Sequence, residues 1–187
     1  MALAGCVLII AGFTGAARAA RSVVRDALGP EVHGRIIDIV LSPNPSAPFC
    51  WAAIAIELDE AAGEYVLWRG TLSLAPRWKA PTTCALHRFT PVGDVTRLGR
   101  EGQFALRDSI HQPLQRLRDA AQRDCWAREW LRFGRAPVIA EGAIFDLRYA
   151  ERVGQDFTRM PLAPGRRECP SYLPEWGMPR ADLIGRN

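Results

Sequence analysis

The segment Phe49–Trp68, FCWAAIAIELDEAAGEYVLW, carries the clearest secondary-structure signal in the chain. Phe49 to Leu58 is almost wholly apolar and contains aromatic and β-branched residues, a composition typical of a β-strand. The polar residues from Asp59 to Gly63 predict a turn, and Tyr65 to Trp68 begin a second apolar run. We therefore expect a β-hairpin here, which makes an antiparallel sheet the centre of the fold.

Other segments extend this sheet on both sides of the hairpin. The β-branched run from Ile36 to Leu41 predicts a strand, and the proline-rich residues 42–48 predict a loop, because proline cannot donate a ladder hydrogen bond. Residues 75–102 are expected to form a long, partly irregular connection. Three later segments predict short strands: Val138–Ala140, Ala143–Tyr149 and Phe157–Leu162.

One long helix is expected from about Asp108 to Phe133, because apolar residues recur there at helical spacing. The sum is an α+β fold, in which a small antiparallel sheet of about four to five strands is packed by one long helix and preceded by an N-terminal apolar helix. We expect residues 1–29 to form that first helix, residues 30–162 to form the α+β domain, and residues 163–187 to form a proline-rich irregular tail.

The N-terminal segment is the other feature that bears on function. Met1 to Ala17 contains no charged side chain, and Arg18, Arg21 and Arg25 follow it. A membrane-associated helix, a buried core helix and a signal peptide all have this composition, but a signal peptide has its basic residues before the apolar run. We expect residues 1–25 to contact a bacterial inner membrane, with the arginine flank and the soluble part on the cytoplasmic side.

Composition excludes several protein classes. The chain has 187 residues with 24 basic and 20 acidic side chains, a formal net charge of +4, and 48% hydrophobic residues. These values exclude wholesale disorder, a collagen-like repeat and a multi-span channel. The small basic excess is spread along the chain, and the expected helix carries acid–base pairs such as Asp119 with Arg123. No nucleic-acid partner is therefore expected.

The five cysteines leave the redox compartment open. Cys6 lies in the apolar segment, and Cys50, Cys84, Cys125 and Cys169 lie in the body. These four can form two disulfides by any of three pairings in an oxidising compartment, or they can remain buried thiols in the cytoplasm. The even number favours disulfides, whereas the arginine flank favours the cytoplasm.

No sequence motif for catalysis is present: the chain has no glycine-rich phosphate loop, no Gly-x-Ser-x-Gly elbow and no paired histidines of a zinc helix. Cys84 and His87 form a Cys-x-x-His pair that His111 and Cys125 can join to complete a zinc site, but this loose spacing favours structural or surface roles. The sequence assigns no catalytic, cofactor-binding or metal-ligating residue.

Three aspartates, Asp94, Asp108 and Asp146, are candidate carboxylates without a partner in sequence. Asp108 is more simply interpreted as a helix cap and Asp146 as an outward-facing strand residue. The tryptophans in strand and helix patterns are expected in the core rather than on a binding surface.

An ordered series of short motifs indicates a family. The motifs are Ser42–Pro45, Pro48–Trp51, Tyr65–Leu74, Asp124–Cys125, Trp130–Pro137, Asp146–Tyr149, Cys169–Trp176 and Pro179–Asp182. In this order they resemble the C-terminal domain of the bacterial membrane-bound metal-dependent hydrolases, also called LexA-binding, inner-membrane-associated hydrolases. The likeness covers roughly residues 35 to 184.

The resemblance implies a divalent metal in the family's N-terminal part, whose membrane spans hold a segment rich in His and Asp. This chain has no counterpart of that segment, so no metal or catalytic residue is carried over. The expected function is a C-terminal accessory domain of such a hydrolase, within a longer protein or as a shortened relative. The alternative is a non-enzymatic, membrane-anchored interaction module, and a third hypothesis is a self-contained zinc enzyme that uses the four residues named above.

Overall fold

The computed structural model describes residues 2–84, 96–99, 102–149, 157–163, 168–169 and 180–185. Its helices are α1 (Ala2–Leu28), α2 (Leu114–Arg123), α3 (Cys125–Trp130) and α4 (Ala181–Ile184). Its strands are β1 (Arg35–Asn44), β2 (Ala47–Asp59), β3 (Glu64–Ser73), β4 (Thr96–Leu98), β5 (Phe104–Pro113), β6 (Pro137–Ala140), β7 (Ala143–Asp146) and β8 (Met160–Pro161). The α+β class is confirmed.

The larger sheet is antiparallel, has five strands and contains the expected hairpin. Its strand order is β1-β2-β3-β5-β4. The turn between β2 and β3 is closed by Asp59, whose Oδ1 accepts a hydrogen bond from the Ala62 amide at 2.9 Å, and by Gly63 with φ +69°. Every residue of β2 from Cys50 to Leu58 is buried, which explains why all of them except Glu57 are apolar.

The proline-rich segment between the first two strands forms a tight turn instead of the expected loop. β1 continues to Asn44 and β2 begins at Ala47, so Pro43 and Pro48 lie within strands. The Asn44 side chain accepts hydrogen bonds from the Ser46 amide and hydroxyl at 3.0 and 2.8 Å. β1 is an edge strand, a position in which proline is tolerated, and Pro48 is at the second residue of β2.

The single long helix expected from Asp108 to Phe133 is wrong in two places. Residues 104–113 form β5, which pairs with β4, and helical structure begins only at Leu114. The helix is then interrupted at Asp124, which has extended backbone angles (φ −124°, ψ 106°). The Asp124 carboxylate accepts a hydrogen bond from the Trp126 amide at 3.0 Å, so this residue starts a new helix instead of continuing the old one.

The later strands form a separate sheet with the order β6-β7-β8. β6 and β7 are antiparallel and are joined by Glu141 and Gly142, with φ +50° and +70°. Positive φ at both central residues is the feature of a type I′ hairpin turn. β8 confirms a short strand within Phe157–Leu162.

The chain divides into two compact units that alternate along the sequence. One contains residues 1–32, 38–55 and 68–109, and the other contains residues 33–37, 56–67 and 110–187. Each has one disulfide, Cys50–Cys84 in the first and Cys125–Cys169 in the second, with Cα–Cα distances of 5.3 and 5.6 Å. The division at residues 29 and 162 stays a prediction, although α4 introduces one helical turn into the expected irregular tail.

Candidate functional site

The N-terminal half of α1 presents apolar side chains that no other described part of the protein covers. Val7, Leu8, Ile9, Ile10 and Phe13 have exposed fractions of 52–73%. Gly5–Leu28 is long and apolar enough to cross a membrane. The structure therefore supports the expectation that this helix could anchor the chain in a membrane.

The C-terminal half of α1 belongs to the folded body. Ala20, Val24, Ala27 and Leu28 are buried, because they recur at helical spacing on one face. Arg18, Arg21 and Arg25 are exposed and lie on a different face. Residues 2–19, which precede the buried part, extend about 27 Å as a helix, close to the roughly 30 Å of a bilayer's hydrocarbon core.

A cavity of about 430 Å³ lies in the second unit. We call it the aromatic pocket. Its lining residues come from α3, from the turn after α3, from the end of β7 and from the segment before β8: Trp126, Trp130, Phe133, Asp146, Arg148, Tyr149, Phe157, Thr158, Arg159 and Met160. Half of these residues are aromatic, and this density is typical of sites that bind rings or extended apolar ligands.

The aromatic side chains of the pocket are held at fixed positions. The Trp130 indole Nε1 donates to the Thr158 carbonyl at 2.9 Å, and the Trp126 Nε1 donates to the Glu168 carbonyl at 2.7 Å. The rings of Tyr149 and Phe157 are in contact, with centroids 4.8 Å apart. Phe157 nevertheless exposes 80% of its surface, so a ring face remains available to a ligand.

Asp146 lines the pocket, and both of its carboxylate oxygens accept hydrogen bonds. Asp146 is 1% exposed and its oxygens accept hydrogen bonds from the Arg148 guanidinium at 2.6–3.0 Å and from the amides of Arg135 and Arg148. The Arg148 guanidinium also lies over the Tyr149 ring at 5.0 Å. The expectation that Asp146 faces outward is therefore wrong: Asp146 is buried, and the donors of Arg135 and Arg148 stabilise its charge within the protein.

Both cysteines considered for zinc are held in disulfides. Cys84 is bonded to Cys50 and Cys125 to Cys169, and a sulfur in a disulfide is not the thiolate that zinc requires. His111 instead contacts Glu64, with 2.9 Å between Nδ1 and Oε1. His87 lies outside the described residues. Within the described residues, no three His, Cys, Asp or Glu side chains converge as a metal site.

The remaining candidate carboxylates have other places in the fold. Asp108 caps no helix: it lies in β5 and pairs with Arg69 of β3, whose Nε donates to its Oδ1 at 2.7 Å. Asp94 lies outside the described residues. Of the four tryptophans in strand and helix patterns, Trp51 and Trp130 are buried as expected, whereas Trp68 and Trp126 are only partly buried. Trp78, which lies outside those patterns, is 81% exposed.

The aromatic pocket was not foreseen from the sequence. The helical spacing of Trp126, Trp130 and Phe133 predicts a core-facing side, but of the three only Trp130 is fully buried. The signal that could have indicated a pocket is the pair Arg148–Tyr149 directly after a buried strand, because a cation and an aromatic ring at a strand end often lie at the surface. Arg148 and Tyr149 lie far from α3 in the sequence, so the sequence pattern does not indicate that they and α3 line the same pocket.

Comparison of the chain with protein-family models, with curated proteins and with solved structures finds no match. The resemblance to the membrane-bound metal-dependent hydrolases therefore remains a proposal.

Proposed function

We propose that this chain is a membrane-anchored, non-catalytic domain that serves as the C-terminal accessory domain of a membrane-bound hydrolase. The observation that carries the anchoring is the division of α1 into an exposed apolar half and a half built into the folded body. α1 is one continuous helix, so no flexible linker separates its exposed apolar half from the folded body, and the body would be held directly at the membrane surface.

The accessory role rests on the ordered motifs between residues 35 and 184. In such a hydrolase the reaction takes place in the metal-binding membrane part. This domain would shape the access of substrate to that part, or would hold that part in place. The alternative, an interaction module that acts without a hydrolase, is favoured by the aromatic pocket, which offers a binding surface of its own.

The DNA upstream of Met1 distinguishes these two roles. An in-frame segment with several membrane spans and clustered His and Asp codons supports the hydrolase role. A stop codon with a ribosome-binding site directly before Met1, together with no hydrolase co-purifying from membranes, would contradict it and leave the interaction module.

Anchoring is tested by membrane fractionation of cells that express the full chain. We expect the protein in the pellet after alkaline carbonate extraction. Leu8→Lys combined with Ile10→Lys should release it, because each charge near the centre of a span costs about 2.5–3.5 kcal/mol of insertion free energy. Trp78→Lys is the matched control, since it removes an equally exposed apolar side chain outside α1. Wild-type protein that carbonate extracts completely would refute the anchor.

For the side of the membrane, we propose the oxidising compartment. Two disulfides in one small body are typical of exported proteins and rare in the cytoplasm. The arginines after the apolar run favour the opposite orientation. We give the disulfides more weight because all four cysteines of the body are paired, whereas the arginines also form part of the body's solvent-exposed surface.

Thiol labelling determines the orientation. In a Cys6→Ser background, which removes the exposed free cysteine, we expect no maleimide reaction of the denatured protein until a reductant is added. A phosphatase fused after residue 187, of the kind that folds only in the periplasm, should be active. Four reactive thiols and an inactive fusion would place the body in the cytoplasm.

A further inference from the structure

We propose that the aromatic pocket binds a small molecule that combines a flat apolar ring system with one anionic group, such as a carboxylate or a phosphate. This inference does not depend on the membrane anchor or on the hydrolase role, because every residue that carries it lies within the second unit.

The size and lining of the cavity indicate the apolar part of the ligand. A volume of about 430 Å³ is at the lower end of small-molecule sites, which suits a fused two-ring compound better than a folded peptide. Trp126, Phe133, Tyr149 and Phe157 all line it, and none of the four is fully buried. Aromatic faces of this kind favour stacking with flat rings.

The charge of the pocket defines the ligand's polar group. An aromatic pocket attracts cations when it is neutral or acidic. Here the only carboxylate among the lining residues, Asp146, is neutralised by Arg148. Arg159 is exposed, also lines the pocket, and makes no hydrogen bond or ion pair with another described residue. Among the described residues that line it, the pocket therefore carries one uncompensated positive charge, which repels a cation and favours an anion.

Thr158 is a neutral polar residue that lies between Phe157 and Arg159 in the sequence. Its hydroxyl oxygen accepts a hydrogen bond from the Asp146 amide at 2.8 Å, and its carbonyl accepts one from Trp130. These two bonds connect the segment that carries Phe157 and Arg159 to β7 and α3. Phe157 and Arg159 consequently lie on one short segment that is tethered to the rest of the second unit.

The test is a calorimetric titration of the full chain in nanodiscs, with empty nanodiscs as the blank. The probes share one ring system and differ in charge: 2-naphthoate, 2-naphthyl phosphate, neutral 2-naphthol and 2-naphthylmethylammonium. We expect at least one anion to bind about tenfold or more tightly than the neutral probe, and the cation to bind most weakly. The better of the two anions identifies the group that the pocket recognises.

Variants separate the two parts of the proposal. Arg159→Gln should remove the preference for the anion while leaving 2-naphthol affinity within about twofold, and Phe157→Ala should weaken all probes. Arg123→Gln, an exposed arginine on α2 away from the pocket lining, is the matched control and should change nothing. Equal affinity for anion and neutral probe, tighter binding of the cation, or an unchanged anion preference in Arg159→Gln would overturn the proposal.

Discussion

At the scale of single residues, Gly134 is required by the tryptophan beside it. A Cβ added at Gly134 would lie 2.0 Å from Cζ3 of Trp130, far inside van der Waals contact. The ring cannot move away easily, because Trp130 is buried and its Nε1 is bonded to Thr158. The glycine therefore permits the close approach of the chain to α3 that forms one wall of the aromatic pocket.

We predict that Gly134→Ala lowers the free energy of unfolding by about 1–3 kcal/mol, as in other overpacked sites. Denaturant unfolding of the detergent-solubilised chain measures this effect. Gly29→Ala is the control, since its Cβ would meet only ordinary contacts at 3.5 Å or more. A Gly134→Ala protein as stable as Gly29→Ala would show that the Trp130 ring has room to shift.

Tyr65 is fully buried, and its hydroxyl donates to the Pro137 carbonyl at 3.0 Å. Burial raises the pKa of the Tyr65 phenol well above its usual value of 10, because the phenolate would lose its hydration. Above pH 10 the unfolded chain loses this proton while the folded chain keeps it. Stability contributed by this group is therefore complete below pH 10 and falls as the pH rises further, by up to about 1.4 kcal/mol per pH unit.

We predict that Tyr65→Phe costs about 1 kcal/mol at pH 7, through the lost hydrogen bond, and that its stability declines less steeply than that of the wild type between pH 10 and 11. Urea unfolding at several pH values measures both effects. Parallel stability curves for the two proteins above pH 10 would contradict the assignment of the decline to Tyr65.

At the scale of elements, Asp124 is the residue that divides the expected long helix. Its backbone is extended, its Oδ1 caps α3, and its Oδ2 accepts a hydrogen bond from the Ala163 amide at 3.0 Å. The extended backbone of Asp124 ends α2. Its buried carboxylate caps the start of α3 and binds the amide of Ala163, which holds the segment after β8. The periodicity of apolar residues continues across this break, which is why the sequence predicted one helix.

Asp124→Ala should lower the free energy of unfolding by about 2–3 kcal/mol, because it removes the cap and leaves buried amides without partners. Asp119→Ala is the matched control: its carboxylate lies on exposed α2 surface and is expected to contribute less than about 1 kcal/mol. Thermal or urea unfolding compares them. Equal losses in the two variants would show that the cap at Asp124 contributes little.

At the scale of the whole molecule, the two disulfides constrain long stretches of chain. They close loops of 34 and 44 residues, which by loop-closure entropy corresponds to about 4 kcal/mol of stabilisation each. We expect smaller measured values, about 2–4 kcal/mol, since the reduced unfolded chain retains some structure.

Cys50→Ser with Cys84→Ser should therefore lower the free energy of unfolding by about 2–4 kcal/mol and make the protein less sensitive to reductant. Cys6→Ser, which alters the free cysteine on α1, should leave stability unchanged. Urea unfolding with and without reductant measures both. A wild-type protein whose unfolding midpoint does not respond to reductant would contradict a stabilising role for the disulfides.

The sequence by itself determined the features encoded over short distances. The β2–β3 hairpin follows from an apolar run, a polar turn with glycine and a second run. α1 follows from the uncharged residues up to Ala17 and from the apolar residues at helical spacing after them, and it ends before Gly29 and Pro30. In both cases the residues that define an element are neighbours, so their pattern is visible without the fold.

Only the tertiary structure decided the features that join distant residues. β5 is a strand because it pairs with β3 and β4, although the spacing of apolar residues predicts a helix over its second half, residues 108–113. The cysteine pairing was one of three arrangements allowed by the sequence, and the aromatic pocket joins α3 to residues up to 34 positions later along the chain. Pairing and pocket formation depend on which surfaces meet in space, and this information is absent from local periodicity.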